Sequence, residues 1–234
     1  SEYTGTDNLE VMAEAVNYNR YLLSLIRGEM RQGLRVLDIG AGIGTFAKAL
    51  RDVGHNVLCF EPDPRQADHL RSSGLPVVKG LEELQPSTFD FIYSLNVLEH
   101  IEDDLNTLRR WFHLLKPGGR MLVYVPAFQL LYSSMDRKVG HFRRYTKNGL
   151  MAKLRAAGFK VVSARYADSL GFIATIAYKL LHDESGNINR RALVTYDRYV
   201  FPLNKLFDAV FGSALGKNVY VVAVREIVPG VSLG

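Results

Sequence analysis

Short apolar runs alternate with longer amphipathic stretches along most of this chain. Runs of almost unbroken hydrophobicity lie at 34–39 (LRVLDI), 56–60 (NVLCF), 76–78, 89–95 (FDFIYSL) and 119–125 (GRMLVYV), with two more at 159–166 (FKVVSARY) and 218–225 (NVYVVAVR). Between the first five, apolar residues recur at helical spacing near 44–53, 63–73 and 103–115. The last of these puts Leu105, Leu108, Phe112 and Leu115 on one face beside Trp111, and KPGG stops it. Ahead of the first run, Leu9, Met12, Val16, Leu22, Leu23 and Ile26 predict a helix over 9–27 that ends at Gly28. Strands that are apolar throughout and joined by helices predict a parallel sheet covered on both faces.

Residues 167–217 break the rhythm. Rich in Phe, Tyr and Leu, they carry two predicted helices, near 169–182 and 191–212, between the last two strands. An insertion of this size at a sheet end reads as a lid or binding surface, an added packing layer, or a dimer contact.

Composition narrows the picture. With 234 residues, 47% of them apolar, the chain can bury one substantial core, so a single domain over 1–234 is expected. The net charge of +5 comes without any dense Lys/Arg tract, which makes nucleic acid an unlikely partner. Cys59 is the only cysteine and lies within NVLCF, which excludes a disulfide framework and a Cys-based zinc site. The opening SEYTGTDNLEVM has no basic-then-apolar leader pattern, and no apolar stretch approaches the roughly 18–20 residues of a membrane span. A cytoplasmic monomer or homodimer is expected. The apolar stretch 170–181 leaves peripheral contact with a membrane or a greasy substrate open.

The first strand runs directly into Asp38-x-Gly40-x-Gly42-x-Gly44. A dinucleotide fingerprint requires G-x-G-x-x-G at such a turn; here the third glycine falls one place early and an acid precedes the first. Glycines at 40 and 42 let the backbone approach a ligand without Cβ interference. Free N–H groups at the helix start near Gly44 favour an anionic group such as a carboxylate. Asp38 suits a cationic ammonium or sulfonium. Glu61 follows 21 residues after Gly40, where a carboxylate accepts hydrogen bonds from a ribose diol.

Taken together, VLDIGAGIGTFAKAL, CFEPDP, FDFIYSLNVLEHIEDD and LKPGGRMLVYVPA resemble the successive motifs of class I S-adenosylmethionine-dependent methyltransferases. NYNRYLLSLI before them and GHFRRYT after them resemble a bacterial subset acting on small molecules. The resemblance implies a Rossmann-like, seven-stranded, mostly parallel doubly wound sheet, with an N-terminal helical cap over 1–33 and an α-helical insertion at 167–217 before the last strand. It implies S-adenosylmethionine as cofactor. Asp38 would sit near the methionine ammonium, and Gly40, Ala41 and Gly42 would line the methionine and ribose. Glu61 would bind the ribose diol and Pro62 would flank the adenine. Leu81 stands where the family usually has an acid or polar group toward the adenine amine. Asn96 and Val97 would border methyl transfer, and Tyr18 of the leading motif joins the cofactor set.

For the acceptor, His100 in NVLEHIEDD and His141 in MDRKVGHFRRYT are the candidate general bases. Each reads equally as a loop or helix-start residue. Arg143 and Arg144 could grip an anionic group, while Tyr132, Tyr145 and Tyr178 could wall an apolar pocket. No metal is expected: an acid-x-x-Glu-His cluster would need an acid where Asn96 stands. The expected activity is methyl transfer to a small-molecule hydroxyl, with N- or C-methylation as the alternative. The rivals from other classes are a nicotinamide-dependent oxidoreductase and a cofactor-binding protein without catalysis.

Overall fold

The computed structural model describes residues 12–181 and 190–227, and in them the apolar runs form one seven-stranded sheet. Its strands are β1 (Arg35–Ile39), β2 (Asn56–Phe60), β3 (Val77–Val78), β4 (Phe89–Leu95), β5 (Leu115–Pro126), β6 (Lys160–Ala167) and β7 (Asn218–Val224). They lie in the order β3-β2-β1-β4-β5-β7-β6. The first five pair in parallel, and β7 is antiparallel to both β5 and β6.

Helices cover both faces: α1 (Val16–Gly28), α2 (Thr45–Arg51), α3 (Pro64–Ser72), α4 (Asp104–Leu114), α5 (Ser134–Lys138) and α6 (Lys147–Ala156). Strand alternation divides the core. Leu37, Ile92, Met121, Val123 and Val221 pack with Leu108 and Trp111 of α4 and Leu150 and Leu154 of α6. Their neighbours Val36, Phe91, Leu122 and Val222 pack with Ile26 of α1, Leu50 of α2 and Leu70 of α3. Every second side chain of a central strand thus meets a different helical layer, which is why the runs are apolar at both parities. The chain winds outward from β1 toward β3 and then from β4 toward β6, so a crevice opens beyond the C-terminal ends of β1 and β4.

Between β6 and β7 come α7 (Ser169–Leu181), α8 (Arg190–Thr195), a π turn at Tyr196–Val200, a 3-10 turn at Phe201–Leu203 and α9 (Asn204–Phe211). The single helix expected over 191–212 is therefore three helical gauges in series, with Pro202 at the 3-10 turn. This segment fastens α1. Ala15 offers no side chain to cap that helix; instead Asp197 accepts the N–H groups of Asn17 (3.0 Å) and Tyr18 (2.8 Å). Two boundaries also differ from the sequence reading. α1 begins at Val16, and residues 9–11 of the expected helix lie outside the described residues. β5 begins at Leu115, with a register shift opposite Phe89 and Phe91, because the KPGG turn is drawn into the ladder.

Candidate active site

At the crevice, β1 delivers Asp38, which is buried, and Tyr93 of β4 donates its hydroxyl to Asp38 Oδ2 at 2.6 Å. Burial pushes the Asp38 carboxyl up to about 7 against that hydrogen bond, and the nearby Glu61 charge adds to the push. A cation beside it would reverse the penalty. The glycine turn is held to β2: Gly40 and Ala41 donate N–H groups to the Phe60 carbonyl at 2.8 and 3.2 Å. Glu61 braces the turn from the other side, accepting from Gly42 N–H at 2.7 Å and Asp63 N–H at 3.0 Å. Burial raises its carboxyl as well, with those two amides opposing.

Why glycine is needed there differs between positions. A Cβ on Gly40 (φ +78°) would sit 2.2 Å from Val97 Cγ2. On Gly44 (φ +82°) it would meet Leu70 and Leu75 at 2.7 and 2.9 Å, so that glycine serves helix packing. Val97 thereby closes over the turn from the end of β4. Leu81 is half-buried and packs against the core, while Pro62 is exposed at the end of β2. Asn96 takes a left-handed conformation (φ +55°) and donates its N–H to the Tyr124 carbonyl at 2.8 Å. From α1, the Tyr18 ring packs edge-on against Tyr124 at 6.3 Å between centroids, and burial pushes its hydroxyl up to about 12. Tyr18, Asp38, Gly40, Ala41, Gly42, Glu61, Asn96 and Val97 thus converge on one crevice.

The other side of the crevice is a charged cluster. His141 Nδ1 lies 2.7 Å from Asp136 Oδ1. Arg144 closes on the same carboxylate through Nε and Nη2, each at 2.9 Å. Burial alone would raise Asp136, but His141 and Arg144 hold it well below the usual carboxylate range. An ionised Asp136 only accepts, so His141 Nδ1 carries a proton, and Nε2 lies 3.9 Å from Glu99 Oε1. Glu99 is fully buried, both carboxylate oxygens lack hydrogen-bond partners, and burial pushes it up to about 8. The His100 ring meets the His141 ring edge-on at 4.5 Å, and burial lowers it to about 4. Donor atoms of Glu99, His100 and His141 all lie within 4.8 Å of one another, a set that could hold a divalent cation.

Other residues assigned to the acceptor are engaged by the protein itself. Arg143 pairs with Asp104 at 2.8 Å and donates to the Glu102 carbonyl. Tyr145 is buried, with its hydroxyl on Asp104 and on the Leu98 carbonyl. Tyr132 donates to the His141 carbonyl at 2.6 Å, so it braces the histidine loop. The side chain of Tyr178 lies outside the described residues. Sequence reasoning missed Asp136, Tyr93 and Tyr124. The signal for Asp136 was present in MDRKVGH, an acid five residues before the histidine.

The sequence and the fold both have known relatives. A family model described as a methyltransferase domain matches residues 11–164. A ubiquinone biosynthesis O-methyltransferase of Xylella fastidiosa is 37% identical over 101 residues, which is 39% of this chain and 41% of that relative's length. The match therefore spans well under half of the relative. Among solved structures, a SAM-dependent methyltransferase of Thermotoga maritima covers 95% of this chain and 96% of its own at TM-score 0.66 and 18% identity. The 1,6-didemethyltoxoflavin-N1-methyltransferase of Burkholderia thailandensis, solved with its substrate and S-adenosylhomocysteine, covers 94% and 83% at TM-score 0.61 and 19% identity. At such identities these structures establish the shared fold.

Proposed function

The chain belongs to the methyltransferase-domain family, and from that premise we propose that it transfers the methyl group of S-adenosylmethionine to a hydroxyl of a small-molecule acceptor in the cytoplasm. The residues of the crevice fit this cofactor. Asp38 would face the ammonium, whose charge offsets the cost of burying that carboxylate. Glu61 has acceptor lone pairs beside the Gly42 amide for a ribose diol, and Leu81 and Pro62 flank the place for a flat base. When bound, the cofactor supplies a sulfonium methyl open to in-line displacement.

The observation that carries the choice of oxygen is the fixed His141–Asp136 pair. A phenolic or alcoholic oxygen must lose a proton as it attacks, whereas a neutral amine already has a free lone pair. Held by Asp136 at Nδ1, His141 would take that proton at Nε2 as the oxygen attacks. Such a base contributes about 10²–10⁴-fold. The test is a panel of phenols, alcohols and amines with labelled cofactor. Methylation confined to amines, or unaffected by His141→Ala, contradicts the proposal.

A second reading rests on the buried, unpartnered oxygens of Glu99. With His100 and His141 they would hold a divalent cation that polarises the acceptor oxygen directly. The sequence reading expected no metal, because Asn96 replaces an acid. Elemental analysis of the purified protein, and melting before and after chelation, separates the readings. The base reading requires full activity in metal-free protein.

A further inference from the structure

The helical segment from Arg190 to Phe211 has two unlike sides. Its only acids are Asp197 and Asp208, and both turn inward. Asp197 is buried and accepts the first N–H groups of α1. Asp208 accepts from Asp168 N–H at 2.9 Å, and from the N–H and hydroxyl of Ser169 at 2.8 and 2.6 Å. Each carboxylate is thus committed to the start of another helix. Phe201 packs edge-on against Tyr18 and Tyr21 on the same inner side.

What remains for solvent is cationic and apolar. Arg191, Arg198 and Lys205 are exposed at seven-residue spacing; Arg190 pairs with Glu14. Tyr199, Leu203, Leu206 and Val210 are 65%, 54%, 70% and 64% exposed, and Phe211 follows at 44%. Leu206 and Val210, four residues apart, share one side of α9, and Tyr199 and Leu203 precede them in the π and 3-10 turns. Isolated exposed leucines are ordinary, but a continuous apolar stripe bordered by basic residues marks a surface that meets something.

Charge decides what that is. In a twofold contact between two copies this face would oppose itself, bringing Arg198 and Lys205 against the same cations. An anionic lipid surface offers the complement: phosphates for the basic row and an acyl boundary for the stripe. No helix among the described residues is long and apolar enough to cross a membrane, so any contact through this segment is at the interface. We propose that the outer face of residues 190–211 lies on an anionic membrane surface, with Leu203, Leu206 and Val210 seated below the headgroups and Arg191, Arg198 and Lys205 among them. The inference stands apart from the methyl-transfer reading, because it is read from binding without turnover.

The test is flotation of the full chain with vesicles of phosphatidylcholine alone or with about one-third phosphatidylglycerol. The wild type is expected to float with the anionic vesicles and to be released by high salt. Leu206→Glu with Val210→Glu should weaken partitioning more than tenfold, and Arg198→Glu with Lys205→Glu should abolish the preference for anionic lipid. Both double variants change exposed side chains, so unchanged melting temperatures are expected and serve as the folding control. The proposal is overturned if the wild type does not float with anionic vesicles, or if neither double variant reduces flotation. It is equally overturned if sedimentation shows a dimer that Leu206→Glu with Val210→Glu dissociates while vesicle binding is absent.

Discussion

Asp136 holds His141 by a 2.7 Å contact at Nδ1, and Arg144 keeps that aspartate ionised. An ionised carboxylate fixes a proton on Nδ1, so Nε2, 3.9 Å from Glu99 Oε1, is the nitrogen the proposed base role uses. Asp136→Asn should disturb this without removing the imidazole, because an amide can donate to Nδ1 and move the ring proton to Nε2. A fall in kcat of roughly 10²–10⁴-fold is expected, comparable with that of His141→Ala. Cofactor affinity, measured by titration with S-adenosylhomocysteine, should change little. Comparable losses of affinity and turnover would instead assign the pair to scaffolding.

If Asp38 faces the ammonium as proposed, cofactor binding has a pH dependence of known sign. Burial raises its carboxyl to about 7, so below that pH the free protein holds it protonated. A bound ammonium favours the ionised form, and binding must then release a proton. Calorimetry in buffers of different ionisation enthalpy should find that release approaching one proton near pH 6 and fading as the pH rises well above 7. Affinity should tighten over the same interval. Stability of the unliganded fold moves the other way. The folded pKa lies above the unfolded value of 3.8, so Asp38 lowers stability as pH rises from there to about 7. Asp38→Asn should therefore melt higher than wild type at pH 8, by a free energy on the order of a few kcal/mol, and bind the cofactor poorly at every pH.

The parts legible in the sequence are those whose cause is local. β1 and β4 announce themselves because both faces of each are buried, β2 because buried Val57 and Cys59 alternate with half-buried Leu58 and Phe60, and the glycine turn because its glycines and Asp38 are neighbours in the chain. α6 was missed: only Leu150 and Leu154 of its ten residues are buried, which is too few to impose a period. The acceptor side is legible only in part for a different reason. Arg143 and Tyr145 look like ligand-facing groups until Asp104, 39 and 41 residues away in the chain, is brought against them by the packing of α4 near α6. Pairings of that kind leave no local pattern.

Gly40 combines a left-handed backbone with a near contact, and the two can be separated. Gly40→Ala places Cβ against Val97 Cγ2 and strains φ at +78°, so a loss of roughly 1–3 kcal/mol of stability is expected along with weak cofactor binding. Adding Val97→Ala should remove the steric part and leave the backbone part. The double variant is then more stable than the sum of the two single losses predicts, a coupling that denaturant melts of all four proteins measure. Strict additivity would show that Val97 is not what demands glycine at this position.

Asp197 ties the insertion to α1 across 180 residues of sequence. Because Ala15 cannot cap that helix, the carboxylate from the π turn is what satisfies the N–H groups of Asn17 and Tyr18, and Tyr18 in turn packs edge-on against Tyr124, whose carbonyl accepts the Asn96 N–H at the crevice. Asp197→Ala should cost about 1–2 kcal/mol, the usual value of a helix cap. It should also speed amide exchange at Asn17 and Tyr18 while leaving the strands of the sheet unchanged. Asp197→Asn keeps one acceptor oxygen and should fall between. If α1 closes over a bound cofactor, the Ala variant also releases S-adenosylhomocysteine faster, with the association rate nearly constant. Stopped-flow release measured beside exchange then tests whether cap, helix and crevice act as one unit; faster exchange with unaltered release would confine Asp197 to holding the helix.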